Sequence, residues 1–172
     1  MPFKPISPTS LWKTLDRPHP HVTTSGIAFD ADGNFPLLYR SDQVRSAKNC
    51  WSFPSGLHEV GLTLHEQFYN ELEEELNLIL LDSITHGVYE NIAAVDDWHW
   101  VIAFLSGRVE TLGSLTNKEP DKHSEVKIES VHTFDPANYN WAPGLGQYLE
   151  ANWPSIQHSI LLSLSNARLG LL

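Results

Sequence analysis

The sequence predicts an α/β fold, and three observations carry that prediction. Segments enriched in β-branched and aromatic residues recur through the middle of the chain, a strongly acidic amphipathic helix interrupts them, and an apolar helical stripe closes the C-terminal part. With 172 residues and 41% hydrophobic content the chain is long enough to bury one ordinary core. Residues 21–172 are therefore read as a single domain behind an N-terminal extended arm, residues 1–20.

That arm, MPFKPISPTSLWKTLDRPHP, contains five of the eleven prolines and no sustained periodicity. His19 near its end and His21 just after it lie close together, but two histidines without further ligands do not make a metal site, and a stiff surface segment is the simpler reading. HVTTSGIAF and FPLLYR, on either side of Asp30-Ala31-Asp32-Gly33-Asn34, read as two strands joined by a glycine-containing turn. SDQVRSAKN is a polar loop carrying Arg45 and Lys48, and Trp51 to Phe53 is a short strand that runs into a bend at Pro54-Ser55-Gly56. Ile84 to Tyr89, Trp98 to Leu105 and Val126 to Phe134 follow as strands. The C-terminal part is helical, with Pro154 placed near the start of a final helix whose Ile156, Ile160, Leu161 and Leu164 share one face.

Charge narrows the function classes. The formal net charge is −10, which argues against a grip on DNA or RNA duplexes through a basic surface. From Asn49 to Gly107 there is no Lys or Arg, while ten acids fall in that span and account for the whole net charge. The acidity is thus local. Cys50 is the single cysteine, so no intrachain disulfide is available; it reads as a small buried hydrophobe, and the chain as one of a reducing, cytoplasmic compartment. Apolar runs such as Leu78 to Leu81 and Trp100 to Leu105 are far too short to span a bilayer, and no secretory signal pattern is present.

The acidic helix carries the chemistry. Thr63-Leu64-His65-Glu66 has the form of a capping box, which pairs two otherwise orphan amide donors and starts the helix at about Leu64. Asn77 tolerates the left-handed conformation that ends it, so the helix is read as Leu64 to Leu76. Phe68, Leu72 and Leu76 give the core-facing stripe. Glu71, Glu74 and Glu75 share a second face, and Glu66 and Glu73 point elsewhere. Like charges at this spacing cost about 0.2–0.5 kcal/mol a pair. Two readings follow: a solvated acidic face, or oxygen ligands for a hard divalent cation, Mg²⁺ or Mn²⁺.

What precedes the helix bears on that choice. The run from Gly56 to Leu78 resembles the Nudix box of the Nudix hydrolase superfamily, Gly-x5-Glu-x7-Arg-Glu-U-x-Glu-Glu-x-Gly-U with U aliphatic. Gly56 takes the first glycine, Glu71 the glutamate after the arginine, Leu72 the first aliphatic, Glu74 and Glu75 the paired glutamates, and Leu78 the last aliphatic. Trp51-x-Phe53-Pro54-x-Gly56-x-x-Glu59-x-Gly61 resembles the strand and loop that lead into the box. Downstream, DDWHWVIAFLSGRV and NKEPDKHSEVKIESVHTFDP look like the strand, the Glu-Pro-x-Lys loop and the next strand of members that cleave nucleoside triphosphates. Four positions depart: Leu62 for the first box glutamate, Asn70 for the arginine, Asn77 for the late glycine, and Ser55 for the first glycine of the usual Pro-Gly-Gly.

The resemblance implies a Nudix-type α/β/α sandwich with a mixed central sheet. It implies hydrolysis of a nucleotide's diphosphate linkage with Mg²⁺ or Mn²⁺, first of all a nucleoside or deoxynucleoside triphosphate cleaved to monophosphate and pyrophosphate. ADP-ribose or another nucleotide-sugar or dinucleoside diphosphate is the alternative substrate. A catalytically weak module binding a nucleotide or a protein is the alternative class, which Leu62 and Asn70 would permit. By position, Glu71, Glu75, Glu74 and the Ser55 carbonyl are the implied metal ligands, with Glu71, Glu74 and Glu75 the catalytic set. The general base is left open among Glu75, Glu119 and Glu125. Arg40, Gly56, Glu59 and Glu119 are the expected substrate contacts, and Lys122 either joins them or stabilises its loop. Arg45 is weighed as a phosphate contact against ordinary surface charge, and Trp51, Trp98 and Trp100 as base-stacking platforms against packing. A homodimer is a family-level expectation.

Overall fold

The computed structural model describes residues 20–93 and 98–170, with only the backbone of Ala93 and Trp98. The arm expected over residues 1–20, including His19, falls outside the described residues except for its last position. The Trp98 side chain does so as well.

Among the described residues, seven strands and two long helices follow in the order β1 (His21–Phe29), β2 (Asn34–Arg40), β3 (Trp51–Ser52), β4 (Ser55–Leu57), α1 (Leu64–Leu76), β5 (Leu80–Ala93), β6 (Trp98–Val109), β7 (His123–Ser130) and α2 (Leu145–Arg168), with a 3-10 turn at Pro136–Asn138 before α2. The strands divide into two sheets. One is mixed, in the order β4-β1-β6-β5, with β1 parallel to β6 and its other pairings antiparallel; the other is antiparallel, in the order β3-β2-β7. The turn expected between β1 and β2 is present. Asp30 Oδ1 accepts from the amides of Asp32 and Asn34, which closes it.

Strand periodicity explains where the helices sit. Ile27, Phe29, Phe35, Leu37 and Phe104 point into one core, and the intervening Ala28, Leu38, Ala103 and Leu105 point into another. A sheet buried on both faces needs a cover on each. Phe68, Leu72 and Leu76 of α1 cover the second core, and Leu145, Leu149, Trp153, Ile156, Ile160 and Leu164 of α2 cover the first. Gly26 permits the close approach of α1, because a Cβ there would stand 2.9 Å from the Phe68 ring and 2.4 Å from the Leu105 carbonyl oxygen.

Three expectations need correction. The Pro54-Ser55-Gly56 bend leads straight into a strand, since Ser55–Leu57 pairs with Ser25, Thr24 and Thr23 of β1. Pro154 lies within α2 and not near its start, the helix beginning nine residues earlier at Leu145. Val131 and Phe134 lie past the end of β7 in a turn and still reach the core.

Candidate active site

Helix α1 forms as its local chemistry requires. Thr63 accepts from the Glu66 amide and the Glu66 carboxylate accepts from the Thr63 amide, while Asn77 takes the left-handed conformation, φ 57° and ψ 39°, and caps the far end. These caps set the rotation of the helix about the stripe of Phe68, Leu72 and Leu76, and that rotation sorts the glutamates. Glu71 and Glu75 are turned inward, 8% and 1% exposed, whereas Glu73 and Glu74 are exposed.

Two buried carboxylates one turn apart need partners. Glu71 Oε1 accepts 2.7 Å from Gln67 Nε2, and Gln67 Oε1 in turn accepts 2.8 Å from the Glu59 amide. A single buried amide side chain thereby joins the loop before α1 to the carboxylate. Glu75 Oε2 accepts 3.2 Å from the Ser55 amide, and its Oε1 faces the Lys122 ammonium, which also pairs with Glu119 at 2.9 Å. Gly56 completes the cradle: a Cβ at this position would fall 1.7–2.2 Å from the Glu71 carboxylate atoms.

The electrostatics follow from burial. Desolvation raises the Glu75 carboxyl to about 7, against the opposing pull of Lys122. Glu71 is raised for the same reason, with Gln67 opposing. For Lys122 burial is the largest effect and works downward, but the charges and hydrogen bonds of Glu75 and Glu119 together outweigh it and the ammonium is held above its ordinary range. His123, buried next to it, is pushed down to about 3 by desolvation and then by the charges of Lys122 and Arg40, so its imidazole is neutral. The donor set is made of hard carboxylate oxygens that already require a cation, which fits a Mg²⁺ or Mn²⁺ ion.

A cavity of about 320 Å³ opens beside the carboxylates. Ser55, Gly56, Lys122 and Arg40 line its charged end, and Tyr89, Asn91, Trp100 and Ile102 line it farther along β5 and β6. Arg40 also fixes a wall: its Nε and Nη2 donate to the Ala47 and Ser46 carbonyl oxygens, each at 3.0 Å. Of the residues picked out in the sequence, the fold brings together Glu71, Glu75, Ser55, Gly56, Glu119, Lys122 and Arg40. Glu59 is exposed and touches the site only through its amide. Glu125 is exposed on β7, Arg45 is exposed, and Trp51 packs edge-on against Tyr39 and Tyr139. Trp100 lines the cavity.

Two residues escaped sequence reasoning. Gln67 stands one turn before Glu71 on the same face, a spacing from which its role was readable. His123 carried no local signal, because its burial depends on β7 packing back toward α1.

No protein-family model matches the chain, and no curated protein does. Its fold is shared with solved structures. The MutT Nudix hydrolase of Burkholderia pseudomallei superimposes with a TM-score of 0.59 at 23% identity, over 68% of this chain and 88% of that one. The MutT protein of Methanosarcina mazei gives 0.65 at 18% identity, over 80% and 95%. The Nudix domain of Shewanella oneidensis NrtR, in complex with ADP ribose, gives 0.65 at 12% identity, over 88% and 99%. The chain has the Nudix fold.

Proposed function

We propose that the chain is a Nudix-type hydrolase that cleaves the diphosphate linkage of a nucleotide, with a nucleoside or deoxynucleoside triphosphate as the leading substrate class. One observation carries the reading: Glu71 and Glu75, a buried carboxylate pair one turn apart on α1, stand directly behind Ser55, Gly56 and Lys122, which line the charged end of a cavity of about 320 Å³. In this reading Glu71 and Glu75 hold a Mg²⁺ or Mn²⁺ ion, with Glu74 and the Ser55 carbonyl as further ligands. Such an ion, when bound, supplies polarisation of phosphate oxygens and acidification of a water.

The chain's own residues do the rest. Arg40 and Lys122 offset phosphate charge at the mouth of the cavity, a role the acidic box cannot fill. Gly56 leaves room for the carboxylates, and Gln67 holds Glu71 in place from the side where the family's arginine and first glutamate are replaced by Asn70 and Leu62. Glu75 and Glu119, joined through Lys122, are the acids at this end of the site that could take the water's proton. Trp100 and Asn91 offer a flat face and an amide to the base.

The replacements Leu62 and Asn70 favour a second reading, a weak or inactive module that binds nucleotide. Hydrolysis of a panel of ribo- and deoxynucleoside triphosphates and ADP-ribose, with Mg²⁺ and with Mn²⁺, separates the two. Turnover by the wild type that falls at least about a hundredfold in Glu75→Gln is expected. Binding of a nucleotide without turnover under either metal would leave the second reading standing.

A further inference from the structure

The Glu75 end of the site holds a donor that an all-oxygen metal centre does not use. Glu75, Glu119 and His123 each offer a ligand atom, and the three atoms lie within 4.8 Å of one another. Donors around one ion with bonds of about 2.1 Å stand at most about 4 Å apart, so closure needs a shift of less than about an ångström. His123 is 1% exposed, and its Nδ1 finds no hydrogen-bond partner. An orphaned ring nitrogen in a buried position is costly unless something binds it. The same two carboxylates already grip a cation, the Lys122 ammonium, which bridges Glu75 and Glu119.

We infer that Glu75, Glu119 and His123 form a mixed nitrogen–oxygen site for a first-row transition-metal ion, and that the Lys122 ammonium is the tethered cation this ion displaces. An imidazole donor favours manganese, iron, cobalt or zinc over magnesium, which keeps to oxygen ligands. Lys122 has somewhere to go. Its side chain is one-third exposed, sits on a flexible four-carbon stem and already lines the cavity, so release from the carboxylates turns a counter-ion into a phosphate-facing cation without loss of its proton. The inference deepens the function proposed above, because Glu75 belongs to both donor sets, but its tests read metal binding and not turnover.

The first test needs no variant. Pulsed EPR of the full chain loaded with less than one equivalent of Mn²⁺, in the absence of nucleotide, is expected to show hyperfine coupling to a histidine ¹⁴N. Absence of nitrogen coupling overturns the site. Calorimetric titration with Co²⁺ and with Mg²⁺ follows. His123→Gln is expected to lose about tenfold or more in Co²⁺ affinity with Mg²⁺ affinity unchanged, and equal losses for both ions overturn the nitrogen ligand. Lys122→Met is expected to bind Co²⁺ several-fold more tightly at about pH 8, where metal ligands are deprotonated, because the ion no longer competes with the ammonium. Unchanged or weaker binding overturns the displacement. A chain that turns over no nucleotide and still shows the nitrogen coupling defeats the hydrolase reading alone.

Discussion

Gly56 and Glu71 are the pair in which a single added atom bears most directly on the proposed metal site. A methyl group at residue 56 would overlap the Glu71 carboxylate, yet what it strikes is the free end of a side chain and not backbone. Gly56→Ala is therefore expected to displace the carboxylate at little cost to the fold: a melting temperature within a few degrees of wild type, measured without metal, and Mg²⁺ affinity reduced about tenfold or more by titration. A large loss of stability with metal binding intact would show that the glycine serves packing. Glu75 and His123 set opposite pH dependences. The folded Glu75 holds its proton up to about 7 against an ordinary 4.5, so acidification across that window stabilises the metal-free fold, an advantage lost again as pH rises through 7. His123, pushed down to about 3 from 6.5, does the reverse: the unfolded chain takes up the proton first, and stability is lost as pH falls from 6.5 toward 3. In full the effects are on the order of 3 kcal/mol for Glu75 and on the order of 5 kcal/mol for His123. Melting in EDTA should be nearly level between pH 6.5 and 4.5 and fall below it; His123→Gln should instead gain stability on acidification from 7 to 4.5, and Glu75→Gln should lose it throughout. Parallel curves for all three proteins would refute the assignment.

The two helices differ in how much of each was legible in the sequence. Helix α1 was read to its ends, Leu64 and Leu76, because both caps are local chemistry: Thr63 and Glu66 are three residues apart, and Asn77 needs only its own backbone. Helix α2 was not. Its start at Leu145 follows Gly144 with no side-chain cap, and Pro154 mimics a first-turn proline while standing at the tenth position of the helix. Leu145, Leu149 and Trp153 continue the stripe of Ile156, Ile160 and Leu164 through the proline, and the first core holds the helix together across it. Strand β4 was hidden for a related reason, since Ser55–Leu57 is recognisable only by its pairing with Thr23–Ser25, thirty residues away. Pro154 cannot donate to the Glu150 carbonyl, and both residues are exposed. Pro154→Ala is expected to stabilise the protein by about 1–3 kcal/mol, less whatever the proline contributes by restricting the unfolded chain. Thermal or urea melts would show it, and a destabilised variant would mean that the proline's bend is needed to seat Trp153 against Phe134, whose ring centroid is 4.9 Å away.

Across the whole molecule, the sheet and the charge are in tension. Strand alternation made an α/β core legible, but not the division of seven strands into two sheets, because a period of two gives the face of each residue and not its neighbour strand. The candidate site was legible in the box spacing, from Ser55 to Glu75, and in the Glu-Pro-x-Lys loop that carries Glu119 and Lys122; His123 was not, because its place depends on the loop and strand β7 folding back onto α1. That closure leaves two carboxylates buried and raised, with only Gln67, the Ser55 amide and one ammonium to offset them. A fold that keeps such a pair gives up stability to hold it, the usual trade at a working site. The metal-free protein should then gain from neutralising Glu71 alone, because Gln at that position keeps the shape, removes a buried charge and its repulsion on Glu75, and leaves the Lys122 ion pair in place. Glu71→Gln is expected to melt higher than wild type in EDTA by about 0.5–2 kcal/mol. Millimolar Mg²⁺, which keeps to oxygen ligands, should raise the wild-type melting temperature and raise the variant's much less, since an ion stabilises the fold only through sites that bind it in the folded state. If the variant is less stable than wild type without metal, the Glu71 carboxylate is an ordinary partner of Gln67, and the strain attributed to the site belongs to Glu75 alone.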